Sequence, residues 1–401
     1  MQKEKIYITG LGAISAIGNS VEEHLDALMH ARPGLSALEY LDSHHKATFP
    51  FGEIKKSNIE LHEILGTDPE TPISRTPLLG MHAAREALVD SGAPIQAFKT
   101  ALISSTTVGG MSQTEKFFYE FDVNPLSLKW IDTLDCGVST RNIATYLGHQ
   151  GFLTTISTAC SSAANAIIMG ANLILTGRVD RAICGGTDAL SKFTINGFNS
   201  LMLLEKEACR PFDAERKGLN LGEGAGYIVL ESSRIYDPNR KKAVATLEGF
   251  ANTNDAFHQT AASPDGSGAY SAMKQTLERA GIEPSQVSYI NCHGTGTSNN
   301  DESEYRGMER LFGKNIPAFS STKAFTGHTL AAAGGLEAVF SILAIENQCV
   351  WPNLNHKNQM PDTDVLPTTK LLRQENLEYV LSNSFGFGGN NSSLLFRKLH
   401  A

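Results

Sequence analysis

The 401-residue sequence predicts an α/β protein made of two similar halves. Two observations carry that reading. Short β-branched runs alternate with longer helical patterns along the chain, and no Pro-rich, Gly/Ser-rich or low-complexity stretch divides it. A strand, a Gly/Thr-rich turn and a small-residue helix also recur, once in each half.

The first strand is read over residues 6–9. A helix over 21–30 follows, capped by Ser20, with Glu23 completing a capping box. Residues 76–91 form an amphipathic helix stopped by Gly92. Further strands are expected at 101–105, 154–157, 182–184, 227–230, 287–290, 318–320 and 379–381. The duplication shows as matching landmarks. Ser157-Thr158-Ala159-Cys160 leads into a small-residue helix over 161–175. Ser321-Thr322-Lys323-Ala324 leads through a turn into another over 330–344. Gly/Thr-rich turns precede them (106–110 and 293–297), and Gly-rich turns follow them (185–187 and 386–389). The join falls near 235–245. It gives an N-terminal half, 1–240, and a C-terminal half, 241–401, whose facing turns would build one site.

Whole-chain numbers exclude several classes. A net charge of −8 argues against nucleic acid, whose phosphates need a basic footprint. No apolar run approaches the roughly 20 residues of a membrane span, and the start reads as strand and turn, not as a signal segment. The cysteines at 136, 160, 184, 209, 292 and 349 show no CxxC and no metal-ligand spacing, as expected of a reduced, cytoplasmic protein.

Cys160 stands where a strand turns into a helix, so N–H groups and the helix dipole should favour its thiolate. An isolated cysteine is most often a buried structural thiol, and the case for this one rests on its partners. His293 opens His-Gly-Thr-Gly-Thr after an apolar strand. Lys323 and His328 lie five apart across a glycine-containing turn, able to point into one pocket. Glu337, on an apolar helix, should pair with a cation. Asp301 is either a supporting partner of His293 or an exposed loop acid. Phe385 and Phe387 in Asn383-Ser-Phe-Gly-Phe-Gly-Gly-Asn390 sit on a flexible backbone that offers exposed amides and a gate. A thiolate, two histidines and a lysine suit acyl transfer followed by decarboxylation to a carbanion.

Together these segments resemble the β-ketoacyl-acyl carrier protein synthases of the thiolase superfamily. The matches are Thr158-Ala-Cys160-Ser-Ser, Arg210-Pro-Phe-Asp213, Gly222-Glu-Gly-Ala-Gly226, His293-Gly-Thr-Gly-Thr, Lys323-Ala-Phe-Thr-Gly-His328 with Ala333-Gly-Gly, and the closing glycine turn. With Ile8-Thr-Gly-Leu-Gly12, they run in order from about residue 5 to 398. The resemblance implies a five-layered α/β/α/β/α thiolase fold of two pseudo-repeated halves, and a dimer with itself or with a homologous chain-length factor. It implies that Cys160 receives an acyl group from an acyl carrier protein. His293 and His328 would decarboxylate malonyl thioester and stabilise the enolate, with Lys323 holding them and Glu337 bracing the lysine. The amides of Cys160 and Phe387 would form the oxyanion hole. The product is two carbons longer, and no organic cofactor or catalytic metal is implied.

The second histidine separates the chain from initiating and chalcone-synthase-like relatives, and the cysteine separates it from chain-length factors. Two departures stand out. Asn390 replaces the usual threonine. The 197–210 segment looks short and, with Gly218-Leu-Asn-Leu-Gly-Glu223, is closer to synthases of aryl polyene or related polyketide pathways. Chain length should depend on a pocket near Thr107, Val108 and Met111. Lys206, Arg210, Arg216 and Lys217 form a candidate carrier-docking cluster. A cysteine acyl hydrolase or thioesterase is the competing enzyme class, but it leaves Lys323 and one histidine without a task. A non-catalytic heterodimer subunit is the third reading.

Overall fold

The computed structural model describes residues 4–374 and 376–399. Its main sheet has ten strands. The first half supplies β1 (Ile6–Ser15), β2 (Thr100–Ser105), β3 (Phe152–Ile156), β4 (Arg181–Asp188) and β5 (Gly224–Ser232). The second supplies β6 (Ala245–Asn254), β7 (Val287–Asn291), β8 (Ala318–Ser320), β9 (Tyr379–Gly386) and β10 (Asn390–Lys398). Their order across the sheet is β3-β2-β4-β5-β1-β6-β10-β9-β7-β8.

Read outward from the centre, the two halves are the same sheet. β1·β5 and β5·β4 are antiparallel, and β4·β2 and β2·β3 parallel. β6·β10 and β10·β9 are antiparallel, and β9·β7 and β7·β8 parallel. The halves touch along β1 and β6 only at Tyr7↔Thr246 and Ile8↔Ala245.

Helices fill the layers. α1 (Val21–Met29) lies near β1. α2 (Arg75–Asp90) covers β1, β4 and β5 from one outer side. α4 (Ser267–Ala280) covers β6 and β10 from the other, with α5 (Ser298–Phe312) against it. Between the half-sheets run α3 (Ser162–Leu175) and α6 (Ala333–Asn347), packed on each other. This is the expected five-layered arrangement. The middle layer is tight enough to need glycine: a Cβ on Gly335 would come within 2.3 Å of the Gly226 carbonyl oxygen. The stretch Leu330–Asn347 is long and apolar enough to cross a membrane, yet 89% of it is buried inside the fold.

Several local readings change. The first strand continues to Ser15. Ser20 does cap α1, but the Glu23 carboxylate bonds the backbone and side chain of Asn19, so the capping box is not closed there. A closed box occurs instead at Ser57 and Glu60. The helix expected over 330–344 starts as a 3-10 turn at Leu330–Ala332 before α6 proper. β6 and β10 were not expected at all. β10 begins Asn-Asn-Ser-Ser, a polar run with no strand signature; Ser393 is nevertheless buried, donating its hydroxyl to Asn383 Oδ1.

Candidate active site

Cys160 sits on a strained elbow. After β3, Ala159 takes a left-handed φ of +51°, turning the chain sharply into α3. The Ser162 hydroxyl braces the turn, accepting from Thr158 N (2.8 Å) and donating to Ala159 O (2.6 Å). The thiol is buried, and burial pushes it up to about 11. Lys323 and the N–H groups of Phe387 and Cys160 pull the other way but do not prevail. At this helix start the amides and the dipole favour the thiolate, as expected, but desolvation outweighs them.

The second half delivers the histidines. His293 follows β7, and its ring lies 5.4 Å from that of His328, edge to face. The Cys160 sulfur and one ring nitrogen of each histidine all lie within 4.8 Å of one another. Lys323, fully buried, bonds the His293 carbonyl (2.5 Å), sits 3.3 Å from His293 Nδ1, and pairs with Glu337. His328 Nδ1 accepts the N–H of Leu330 at 3.1 Å. With each Nδ1 facing a donor, both neutral rings carry their proton on Nε2. Burial first, then the Lys323 charge, hold both histidines well below their ordinary 6.5, so they are neutral donors.

Strand-like residues from the first half fix His328 in turn. Its N–H donates to Asn220 O (2.7 Å), and its carbonyl accepts from Gly222 N (3.0 Å). Asp188 ties Thr106 and Thr107 to the Ala331 N–H just beyond. Glu304 accepts the N–H groups of His293 and Gly294 and the Asn383 amide, and burial raises its carboxyl to about 7. Neither acid was singled out from sequence, because a helical or strand-end carboxylate carries no local signal of what it will meet. Asp301 is buried, accepting from Gly296 N (3.2 Å) and Phe212 N (2.8 Å). It steadies the His293 loop without touching the ring.

β9 brings the glycine turn to the thiol. A Cβ on Gly386 would lie 3.0 Å from Thr158 O and 3.2 Å from Cys160 N, so glycine lets the strand pass the elbow without crowding it. Phe385 is buried beside His293 (5.9 Å), while half-buried Phe387 stacks on Phe198, an aromatic the sequence did not flag. Together they border a cavity of about 250 Å3 that contains Cys160, His293 and His328. A larger hollow of about 500 Å3, near Phe98, Lys99 and Arg178, has no cysteine, serine or carboxylate in its lining, so the chemistry belongs to the smaller one.

The peripheral expectations fare less well. None of Thr107, Val108 and Met111 borders the cavity. Thr107 is bonded to Asp188, while Val108 and Met111 pack in the apolar cluster with Phe198 and Leu219, one layer behind it. In the docking cluster, Lys206 and Lys217 are exposed. Arg216 is instead turned inward onto the carbonyls of Asp213, Thr297 and Ser298, and Arg210 is paired with Glu207 and Glu215. These two guanidiniums brace the loop and are not a free basic surface.

Cys160, His293 and His328 form the group of three that could ligate a metal among the described residues. The Lys323 ammonium beside His293 opposes a second cation there.

Two family models span the chain: "Beta-ketoacyl synthase, N-terminal domain" over residues 3–234 and "Beta-ketoacyl synthase, C-terminal domain" over 244–357. The chain belongs to the beta-ketoacyl synthase family. Among its relatives is 3-oxoacyl-[acyl-carrier-protein] synthase 2 of Staphylococcus aureus (strain COL), 32% identical over the whole of both chains. The protein of the same name from Synechocystis sp. is 33% identical over 99% of each. Among solved structures, the ishigamide ketosynthase/chain length factor has a TM-score of 0.92 at 29% identity, covering 99% of this chain and 100% of that one. The ketosynthase ApeO, solved with its chain length factor ApeC from Xenorhabdus doucetiae, has a TM-score of 0.84 at 31% identity over 99% of each chain. This ketosynthase is thus an acyltransferase with the thiolase-like fold.

Proposed function

We propose that this ketosynthase elongates a carrier-bound acyl chain by two carbons through decarboxylative Claisen condensation. The observation that carries the reading is the meeting of one cysteine sulfur with two neutral Nε2–H donors. Cys160 attacks the thioester carbonyl of an acyl carrier protein, and the amides of Cys160 and Phe387 receive the oxyanion. The carrier thiol leaves with the cysteine proton. Malonyl thioester then enters, and His293 and His328 donate to its carbonyl oxygen as the C–CO2 bond breaks. The enolate attacks the Cys160 thioester; collapse frees the sulfur and gives a 3-oxoacyl carrier. Lys323 orients His293, and Glu337 compensates its buried charge.

The carrier is an acidic partner for the exposed Lys206 and Lys217. A dimer with itself or with a chain-length factor has its support in β3, which ends the sheet with Phe152 and Leu153 exposed, and in the exposed apolar side chains of Phe118, Tyr119, Val123 and Leu126. We assign the nucleophile to an N-terminal unit ending at about residue 240 and the decarboxylation machinery to the remainder. The short 197–210 segment favours an aryl polyene or related polyketide pathway, and reduced thiols favour the cytoplasm.

Intact-mass analysis after incubation with acyl-carrier thioesters, followed by malonyl-carrier, tests the reading. An acyl adduct on Cys160, CO2 release and a product two carbons longer are expected. Free acid as the sole product would make the protein a hydrolase.

A further inference from the structure

Beside the nucleophile lies a polar cluster that the condensation chemistry does not use. Asn390 opens β10 immediately after Gly388 and Gly389, whose φ values are +81° and +76°. Its Oδ1 accepts three hydrogen bonds: from the Ser161 hydroxyl (2.6 Å), Asn165 Nδ2 (2.8 Å) and Asn252 Nδ2 (2.7 Å). The two amide neighbours present their nitrogens, while the Ser161 hydroxyl divides its single proton between Asn390 Oδ1 and Thr158 O (2.8 Å), which sets the amide oxygen inward. Asn165 Oδ1 accepts in turn from Asn252 and Ser392. One side-chain oxygen thus joins the residue after the nucleophile, the first turns of α3, β6 and the end of the glycine turn.

We propose that Asn390 is a positioning residue that pins the glycine turn to the cysteine elbow, keeping the Phe387 N–H aimed at the reacting thioester. This rests on the condensing role argued above. The outer face of the turn is held separately, by Gly388 N to Gln259 O (2.8 Å) and by Asn254 Nδ2 to Gly388 O (2.9 Å). Residues 255–259 are half-buried or exposed, so that outer tether can give way, while the inner one ends on buried Ser161. Gly389 O is held as well, by Asp255 N (3.2 Å) and Asn391 Nδ2 (2.9 Å), and Asn390 is the tether that reaches the cysteine elbow itself.

The consequence separates the two half-reactions. Acyl transfer uses the Phe387 amide. Decarboxylation uses the Nε2–H groups of His293 and His328, whose anchors lie elsewhere. The test follows the rate of Cys160 acylation by intact mass, and CO2 release from malonyl-carrier alone, in wild type, Asn390→Ala, Asn390→Asp and Asn252→Ala. Loss of an aligned oxyanion donor predicts acylation roughly tenfold or more slower in Asn390→Ala, with CO2 release unchanged. Asn390→Asp keeps an acceptor for the same donors and restores acylation. Asn252→Ala, an exposed change that removes one donor, gives a smaller loss of the same kind and keeps the test alive should Asn390→Ala fold poorly. Equal slowing of both half-reactions, no slowing of either, or no rescue by aspartate would each overturn the role. Wild type that neither acylates nor decarboxylates would instead sink the condensing function itself.

Discussion

The two halves share a strand order but treat their outer edges and their inner helices differently. β8 closes one end of the sheet and is covered by its own chain: Thr368 N donates to Phe319 O (2.8 Å), and Phe319 is 1% exposed. β3, its counterpart at the other end, leaves Phe152 45% exposed and Leu153 36% exposed. Inside, each half turns through a left-handed residue before its helix, Ala159 at +51° and Leu330 at +53°. One turn presents a thiol and the other positions a lysine and a histidine. A duplicated scaffold thus yields a divided site, with the cysteine thiol on one side and the two neutral imidazoles on the other.

That division is open to attack. Cys160→Ala should lower condensation by at least ~10^3-fold, because the covalent step is lost, while CO2 release from malonyl-carrier continues. Persistence of chain extension in that variant would end the covalent reading. His293→Ala should do the reverse, cutting CO2 release by about 10^2–10^3-fold with Cys160 still acylated, as read by intact mass. Glu337→Leu strands the Lys323 charge in the core and should cost about 3–5 kcal/mol in urea unfolding. The unequal edges give the next test. Leu153→Lys should weaken subunit association by roughly 100-fold in sedimentation experiments, whereas Glu302→Lys, at an exposed site on α5 of the second half, should not.

The last test concerns Glu304. Burial raises its carboxyl from 4.5 to about 7. Its contribution to stability is fully present below 4.5 and is lost as pH rises through 7. Glu304→Gln should remove that slope, which is at most about 1.4 kcal/mol per pH unit, from the pH dependence of unfolding. An unchanged slope would mean the carboxyl is ionised throughout.

Much of the site was legible because its chemistry is written in short segments. Cys160, His293, Lys323 and His328 each stand at a strand end or helix start flanked by small residues, and those positions face a common turn layer. Glu304, Asp188, Phe198 and Asn390's three donors were not legible in the same way. Each acts through contacts with segments tens to hundreds of residues distant. Arg216 misled for the converse reason: a cation beside a loop looks available until the loop folds back and offers its carbonyls.

Sequence by itself determined the two-part α/β architecture, the helix starts that carry Cys160 and His328, and the pairing of Glu337 with a cation. Periodicity, capping and the cost of burying charge are local or nearly so. The tertiary structure alone decided that burial raises the thiol, that both imidazoles hold their proton on Nε2, and that Asn390 ties the glycine turn to the elbow. Those depend on burial depth and on which donor faces which acceptor across the two halves. No single segment of the chain contains that information.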